Sequence, residues 1–368
     1  MYCLSSPVTG TPPIKTGLKI MLRVHENRLV WADNLRVVAI IAVIFLHASA
    51  NIVQEFGKVS SSVWWTGNIF NSMVRFSVPL FVMLTGALLL PKKYELFDFL
   101  KSRSTRVLIP FIFWGAIYIG VALYEGLSKG NQIDFWGAIK FIGGSFLTGY
   151  PAFHLWYVDM IVGIYLFLPI IGKWVRNCNE KEILYFLVIW LVTLIIEPVK
   201  SRFQFKIDLR YFTGFVGYAV LGYYLSKKSL GGIRVYSVAI LFYIIGYTIT
   251  LIGTYVLSVR EGTLVQTFYD YLTPNVVLMS VGVFLLVKDK NILKSPLLVK
   301  MRDWISTYSY GIYLVHILIL RFLDWIGINS GFITPVIGIP VTALFCLAGS
   351  GIVIYLLNKV PFGKYVAG

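Results

Sequence analysis

Acidic side chains are scarce in this chain: 17 Asp and Glu stand against 33 Lys and Arg in 368 residues, and charged residues of both signs make up only 14 %. So few polar groups cannot cover a water-soluble globule in which 57 % of residues are hydrophobic and the mean hydropathy is +0.75. Long polar stretches are also lacking. The sizeable ones, 91–106, 128–152 and 288–303, are too short for a separate soluble domain. Cysteine is limited to Cys3, Cys178 and Cys346, far apart and without metal-ligand spacing, so neither a disulfide framework nor a metal site is implied. Residues 1–20 have no apolar core and are rich in Pro, Thr, Ser and Gly, which excludes a signal peptide and predicts disorder, with Met21 a second candidate start.

What is abundant is the membrane-length apolar run. Ten are expected, at 30–50, 63–90, 107–127, 153–172, 183–197, 211–226, 235–257, 271–287, 304–323 and 334–357, giving an all-α polytopic bundle embedded in the lipid bilayer. The organisation expected is a lead-in at 1–28, one membrane domain at 29–358 and a short cytoplasmic tail at 359–368. A net charge of +16 would suggest a nucleic-acid partner in a soluble protein, but here its distribution reports topology. With the N-terminus inside, 22 of the 33 Lys and Arg fall on inner segments, which places both termini in the cytoplasm. No nucleic-acid partner is expected, and nothing in the sequence sets the oligomeric state. Within the outer stretch, Phe135, Trp136, Ile139 and Phe146 fit a helix lying in the interface.

The first run, RLVWADNLRVVAIIAVIFLHASA, breaks the apolar rule. Arg36 and His47 are eleven positions apart, close to three turns, and Asp33, Ile40 and Val43 complete the same stripe at three- and four-residue steps. A charge at the centre of a bilayer costs at least about 2.5–3.5 kcal/mol, so such residues normally mark a pathway or a reaction site. The alternative is a structural Asp33–Arg36 pair and a satisfied core histidine.

Depth along the helices sorts the candidates. By helical rise Arg36 lies roughly 9 Å above the inner boundary, Arg75 about 10 Å, His316 about 18 Å and His47 roughly 25 Å. Arg103 and Arg106, three apart in KSRSTRVLIP, sit below on the inner side, so the arginines form a ladder suited to phosphates. Read singly, Arg103 and Arg106 are equally well explained as positive-inside anchors. His154 and Asp159, in FHLWYVDM near the outer surface, are placed to meet His47, and each alone is as readily structural. His25 in the tail is expected to be inert.

Taken together these motifs are recognisable. Arg36 and His47 within DNLRVVAIIAVIFLH, RFSVPLFVMLTGALLL, Arg103 with Arg106 as an RxxR element, FHLWYV and SYGIYLVH occur in the order found in the acyltransferase-3 family of integral membrane acyltransferases, which the chain resembles over about 29–357. The similarity is greatest to short members that acetylate surface polysaccharides, of the enterobacterial common antigen O-acetyltransferase type. The resemblance implies a multi-pass protein of a bacterial inner membrane with no permanently bound cofactor. It implies transfer of an acyl group, usually acetyl from acetyl-CoA, to a hydroxyl of a lipid-linked or surface glycan. Arg103 and Arg106, with Arg75, would hold the CoA phosphates while the thioester reaches toward His47.

His47 would act as general base or as an acyl carrier, since the ordinary histidine pKa lies near working pH. Asp33 would orient Arg36, which would position the donor or stabilise an oxyanion, because a guanidinium does not give up its proton. The basic outer connection 199–210, VKSRFQFKIDLR, would attract an anionic glycan or lipid headgroups. The alternative function is a glycan or lipid transporter. Such a protein would show a repeat between its halves, and none is visible between 30–197 and 211–357.

Overall fold

The computed structural model describes residues 29–130, 134–147, 151–203, 214–228, 232–288 and 295–368. The expected lead-in at 1–28, His25 within it, and the side chains of the basic connection 199–210 lie outside the described part. Among the described residues every regular element is helical. A helix closes its backbone hydrogen bonds within itself, as lipid requires. Eight of these segments are long and apolar enough to cross a membrane.

The helices are α1 (Val30–Gln54), α2 (Ser61–Met73), α3 (Ser77–Leu89), α4 (Leu96–Ser128), α5 (Phe135–Leu147), α6 (Trp156–Asn177), α7 (Glu180–Phe203), α8 (Val216–Lys227), α9 (Ile233–Glu261), α10 (Pro274–Lys288), α11 (Pro296–Trp325), α12 (Pro335–Leu357) and the short α13 (Gly363–Val366). Single 3₁₀ turns at Phe153–Leu155 and Thr267–Tyr269 lead into α6 and toward α10. α7 and α8 take the places of the fifth and sixth expected spans, with 24 and 12 residues, and neither is among the eight. α5 forms where an interfacial helix was expected, with Phe135, Trp136 and Ile139 exposed and Phe146 turned in against Phe111.

α1 is the axis of the bundle, packing against α2, α3, α10, α11 and α12. Its polar stripe faces inward: Asp33, Ile40 and Val43 are buried, and Arg36 and His47 are half-buried. Elsewhere small residues let backbones touch, the usual way to bring helices together without a hydrophobic drive from the solvent. A Cβ on Gly86 of α3 would lie 1.8 Å from the Ala219 carbonyl oxygen of α8, and one on Gly222 would lie 2.0 Å from that of Met83.

Two features depart from the sequence reading. The second expected span is one run of residues but two helices, because α2 ends at Met73 and α3 starts at Ser77. Pro79 has no N–H, and its ring collides with the carbonyl four residues back, that of Arg75, so a continuous helix cannot pass this point unperturbed. The break leaves thirteen residues on either side and puts Arg75 midway along the span rather than near its inner end. The segment 359–368 also folds back onto the bundle. Trp114 Nε1 of α4 donates to the Val366 carbonyl at 3.0 Å, and Ala367 is fully buried against Gly311.

Gly222→Val should abolish the α3–α8 contact. Forcing a side chain into a packed contact costs about 1–3 kcal/mol and occasionally more, so the detergent-solubilised variant should lose its monodisperse size-exclusion peak or melt several degrees lower.

Candidate active site

Three histidines from three elements meet where α1, the 3₁₀ turn before α6, and α11 converge. The His47 ring centroid lies 5.1 Å from that of His316 and 6.4 Å from that of His154, while His154 and His316 are 5.1 Å apart. Tyr118 and Tyr313 hold His154 from two sides, with ring centroids at 5.0 and 5.7 Å, and the Tyr313 hydroxyl donates to the His154 backbone carbonyl. His316 Nδ1 stands 2.5 Å from the Tyr313 carbonyl, an oxygen that can only accept, so the proton sits on Nδ1 and Nε2 carries the free lone pair.

The ring nitrogens differ in how they are satisfied. His316 Nε2 is buried without a hydrogen-bond partner, and the His154 ring has no well-formed partner beyond the nearby Leu314 backbone. A histidine kept for packing would be expected to have its nitrogens satisfied, and each unsatisfied buried polar atom costs about 1–3 kcal/mol. These nitrogens and His47 occupy one polar spot in an otherwise apolar bundle. Among the described residues no group of three His, Cys, Asp or Glu is arranged to hold a metal ion.

Asp159 does not join the cluster. Its neighbour Val158 takes the inward position on α6, fully buried, and Asp159 is exposed.

The arginines divide into two groups. Arg36 pairs with buried Asp33 at 2.8 Å, and Ser306 of α11 donates to the same carboxylate oxygen at 2.6 Å. Eleven residues of α1 separate Arg36 from His47, a rise of about 16 Å. Arg36 therefore stands at the Asp33 end of α1, well away from His47, which speaks against the oxyanion role, one of the two expected for it.

Arg103 and Arg106 open α4 on the Asp33 side. Their charges both reach Tyr165 of α6, and Arg103 also stands beside Tyr94 in the loop before α4. Burial pushes the Tyr94 phenol above its ordinary pKa, and the Arg103 and Arg176 guanidiniums pull it back. Arg176 itself is occupied, donating to the carbonyls of Leu90 and Lys92 at 2.8 and 2.7 Å and so capping the end of α3.

Arg75 belongs with the histidines, not with Arg103 and Arg106 as the depth count had it. α1 and α2 run antiparallel in a register fixed by Asn71, whose Nδ2 donates to the Leu46 carbonyl at 2.9 Å, and by Trp64 Nε1 on the Val53 carbonyl at 3.1 Å. Carrying that register four residues on places Arg75 about one helical turn, or roughly 6 Å, from the level of His47.

Between the two ends runs a line of tyrosines that the sequence reading did not single out as site residues. Tyr157 packs edge-on to Tyr313 at 5.3 Å, Tyr310 stacks on Tyr313 at 6.4 Å, and Tyr313 lies 5.8 Å from His316. Their signal was present in the three-residue spacing of Tyr310, Tyr313 and His316, which gives one helical face.

The bundle is thus all-helical, with three histidines gathered in its interior and Arg103 and Arg106 set apart from them on α4. The profile of the acyltransferase-3 family, described as an acyltransferase domain, matches residues 29–356, and the chain belongs to that family. Among curated proteins it is similar to the "Putative membrane-bound acyltransferase YfiQ" of Bacillus subtilis strain 168, 22 % identical over 358 residues that cover 91 % of this chain and 92 % of that protein. No solved structure matches it. The chain is thus a multi-pass membrane acyltransferase.

The Asp33–Arg36 pair yields an asymmetric prediction. Asp33 is the buried partner, with 4 % of its side chain exposed against 33 % for Arg36, so deleting the arginine removes the counter-charge of a buried carboxylate while deleting the carboxylate leaves a cation partly in reach of water. Arg36→Ala should therefore lower the melting temperature of the purified protein more than Asp33→Asn does.

Proposed function

We propose that the protein is an O-acetyltransferase of a bacterial inner membrane, moving acetyl from cytoplasmic acetyl-CoA to a hydroxyl of a lipid-linked or surface polysaccharide. The observation that carries this reading is the cluster of His47, His154 and His316, linked through Tyr313 and Tyr310 to α4, where the Tyr310 hydroxyl donates to the Val107 carbonyl beside Arg106. CoA has the matching shape: phosphates at one end and a thioester at the end of a long arm.

Arg103 and Arg106 bind the phosphates as permanently charged planar forks. The Asp33–Arg36–Ser306 group lines the way along α1, where it fixes the arm. His47, the half-buried member of the cluster, takes the proton of the attacking sugar hydroxyl and returns it to the CoA thiolate. His316, with its proton fixed on Nδ1, presents Nε2 toward the same spot and positions the hydroxyl or the His47 ring. His154 supplies the third polar wall. Both termini lie in the cytoplasm in this arrangement, so the Asp33 end of α1 faces the donor pool.

The test is incorporation of label from [14C]acetyl-CoA into extracted glycans and lipid-linked precursors by membranes carrying the wild type or His47→Ala. Label in a glycan with the wild type alone is the expected result and identifies the acceptor fraction. Equal incorporation with the folded variant would contradict the role of His47, and none with either protein across a range of acyl-CoA donors would favour a transporter.

A second prediction separates binding from chemistry. Arg103→Ala with Arg106→Ala should weaken CoA binding by at least tenfold, read as a smaller ligand-induced rise in melting temperature. His47→Ala should bind CoA like the wild type.

A further inference from the structure

The helix break at Val74–Phe76 presents Arg75 to the histidine cluster in an unusual state. One guanidinium nitrogen, Nη1, donates to the Tyr269 carbonyl at 3.1 Å, Nη2 donates to Asn71 Oδ1, and the plane lies on the Tyr269 ring with its central carbon 3.7 Å from the centroid. Nε is buried and has no acceptor. Among the described residues no carboxylate lies within ion-pair distance of Arg75. The group is therefore a half-buried cation hydrogen-bonded by neutral partners, within the field of Asp270, with its buried Nε–H unused.

Its position is fixed relative to the reaction centre. Asn71, which accepts from Arg75, also donates to the Leu46 carbonyl at 2.9 Å and to Ser49 Oγ at 3.0 Å, bracketing His47 on α1. Arg75 is also one of the charges whose field reaches the His47 ring. The N-terminus of α3, whose peptide dipoles favour negative charge, begins two residues after Arg75. A rigid positive pole one helical turn from the proposed base is the arrangement that favours a transient negative oxygen over a neutral carbonyl.

Resting on the acyl-transfer reading above, we propose that Arg75 is a catalytic residue that stabilises the oxyanion of the tetrahedral intermediate, rather than a holder of the donor's phosphates. In that step the acceptor hydroxyl oxygen bonds to the thioester carbon, its proton goes to His47, and the carbonyl π pair moves onto the oxygen facing Arg75. Collapse restores the carbonyl, breaks the carbon–sulfur bond and releases CoA thiolate, which takes the proton back from His47. The uncommitted Nε–H is the donor for the oxyanion, and the bonds to Tyr269 and Asn71 keep it aimed. No reorganisation is then needed when the charge appears.

The experiment uses the full chain in nanodiscs, measuring turnover of acetyl-CoA and acceptor alongside CoA affinity, for wild type, Arg75→Ala and Arg75→Lys. Removing a single oxyanion donor typically costs about 10²–10³ in turnover, so Arg75→Ala should lose that much in kcat while its Kd for CoA stays within about twofold, and added methylguanidinium should restore part of the loss. If Arg75→Ala does not fold, Arg75→Lys at an unchanged melting temperature should still lose at least about tenfold in kcat, because an ammonium cannot reproduce the fork held by Tyr269 and Asn71. A weakened Kd for CoA matching that of the Arg103 and Arg106 variant would make Arg75 a phosphate holder. A raised KM for the acceptor at constant kcat would make it a recognition group for an anionic sugar. Either result, or full kcat in the lysine variant, overturns the proposal, whereas a wild type that transfers no acyl group at all overturns the reading beneath it.

Discussion

Lipid offers no hydrogen-bond partner, and that one constraint organises this molecule. Each polar side chain placed within a membrane helix has to find its partner inside the protein or remain unpaired at a cost. Most find one here. Asp33 satisfies Arg36 and Ser306, Asn71 ties α2 to α1, Tyr118 reaches the Leu314 carbonyl, and Asn275 bonds Thr250 and the Phe268 carbonyl. Nitrogens of His154, His316 and Arg75 are less well satisfied, as are the hydroxyls of Thr254 and Thr342 elsewhere in the bundle. Those of the histidines and of Arg75 lie near His47 of α1, where we propose the base and the oxyanion donor.

Much of the architecture was legible because the same constraint writes it into the sequence. Runs of apolar residues long enough to span marked the eight clear crossings, and the stripe of Asp33, Arg36, Ile40, Val43 and His47 announced the inward face of α1 at helical spacing. Motif order gave the family, and the family profile over 29–356 agrees. The convergence of His47 with His154 was anticipated from both lying near one end of their helices, although Asp159 turned out to face away. His316 was placed only at mid-depth by counting, and its contact with His47 comes from the packing of α11 on α1.

What the sequence hid was backbone irregularity and cross-helix register. Counting 1.5 Å per residue assumes an unbroken helix, so the interruption before Pro79 went unseen and Arg75 was set level with Arg36. Hydrogen bonds from Asn71 and Trp64 to α1 carry the register that corrects this, and such long-range pairings leave no periodic trace in a single chain. Arg36 lies far from His47 along its own helix, and we propose the oxyanion role considered for it for Arg75 instead, a residue that the depth count had grouped with the phosphate binders. The tyrosine line from Tyr157 to Tyr313 was likewise inside the recognised motifs, but aromatic residues in membrane proteins are mostly interfacial and gave no cue on their own.

The central claim is spatial: one donor molecule spans the distance from Arg103 and Arg106 to His47. A cryo-EM structure of the protein in nanodiscs with a non-hydrolysable acetyl-CoA analogue tests it directly. The account predicts the phosphates against Arg103 and Arg106, the arm along Tyr157 and Tyr313, and the acyl carbon near His47 with its oxygen turned to Arg75, close enough for an acceptor hydroxyl to attack at about 3–3.5 Å. Density for the CoA phosphates at the histidine end, or an arm running outside the bundle away from His47, would contradict it.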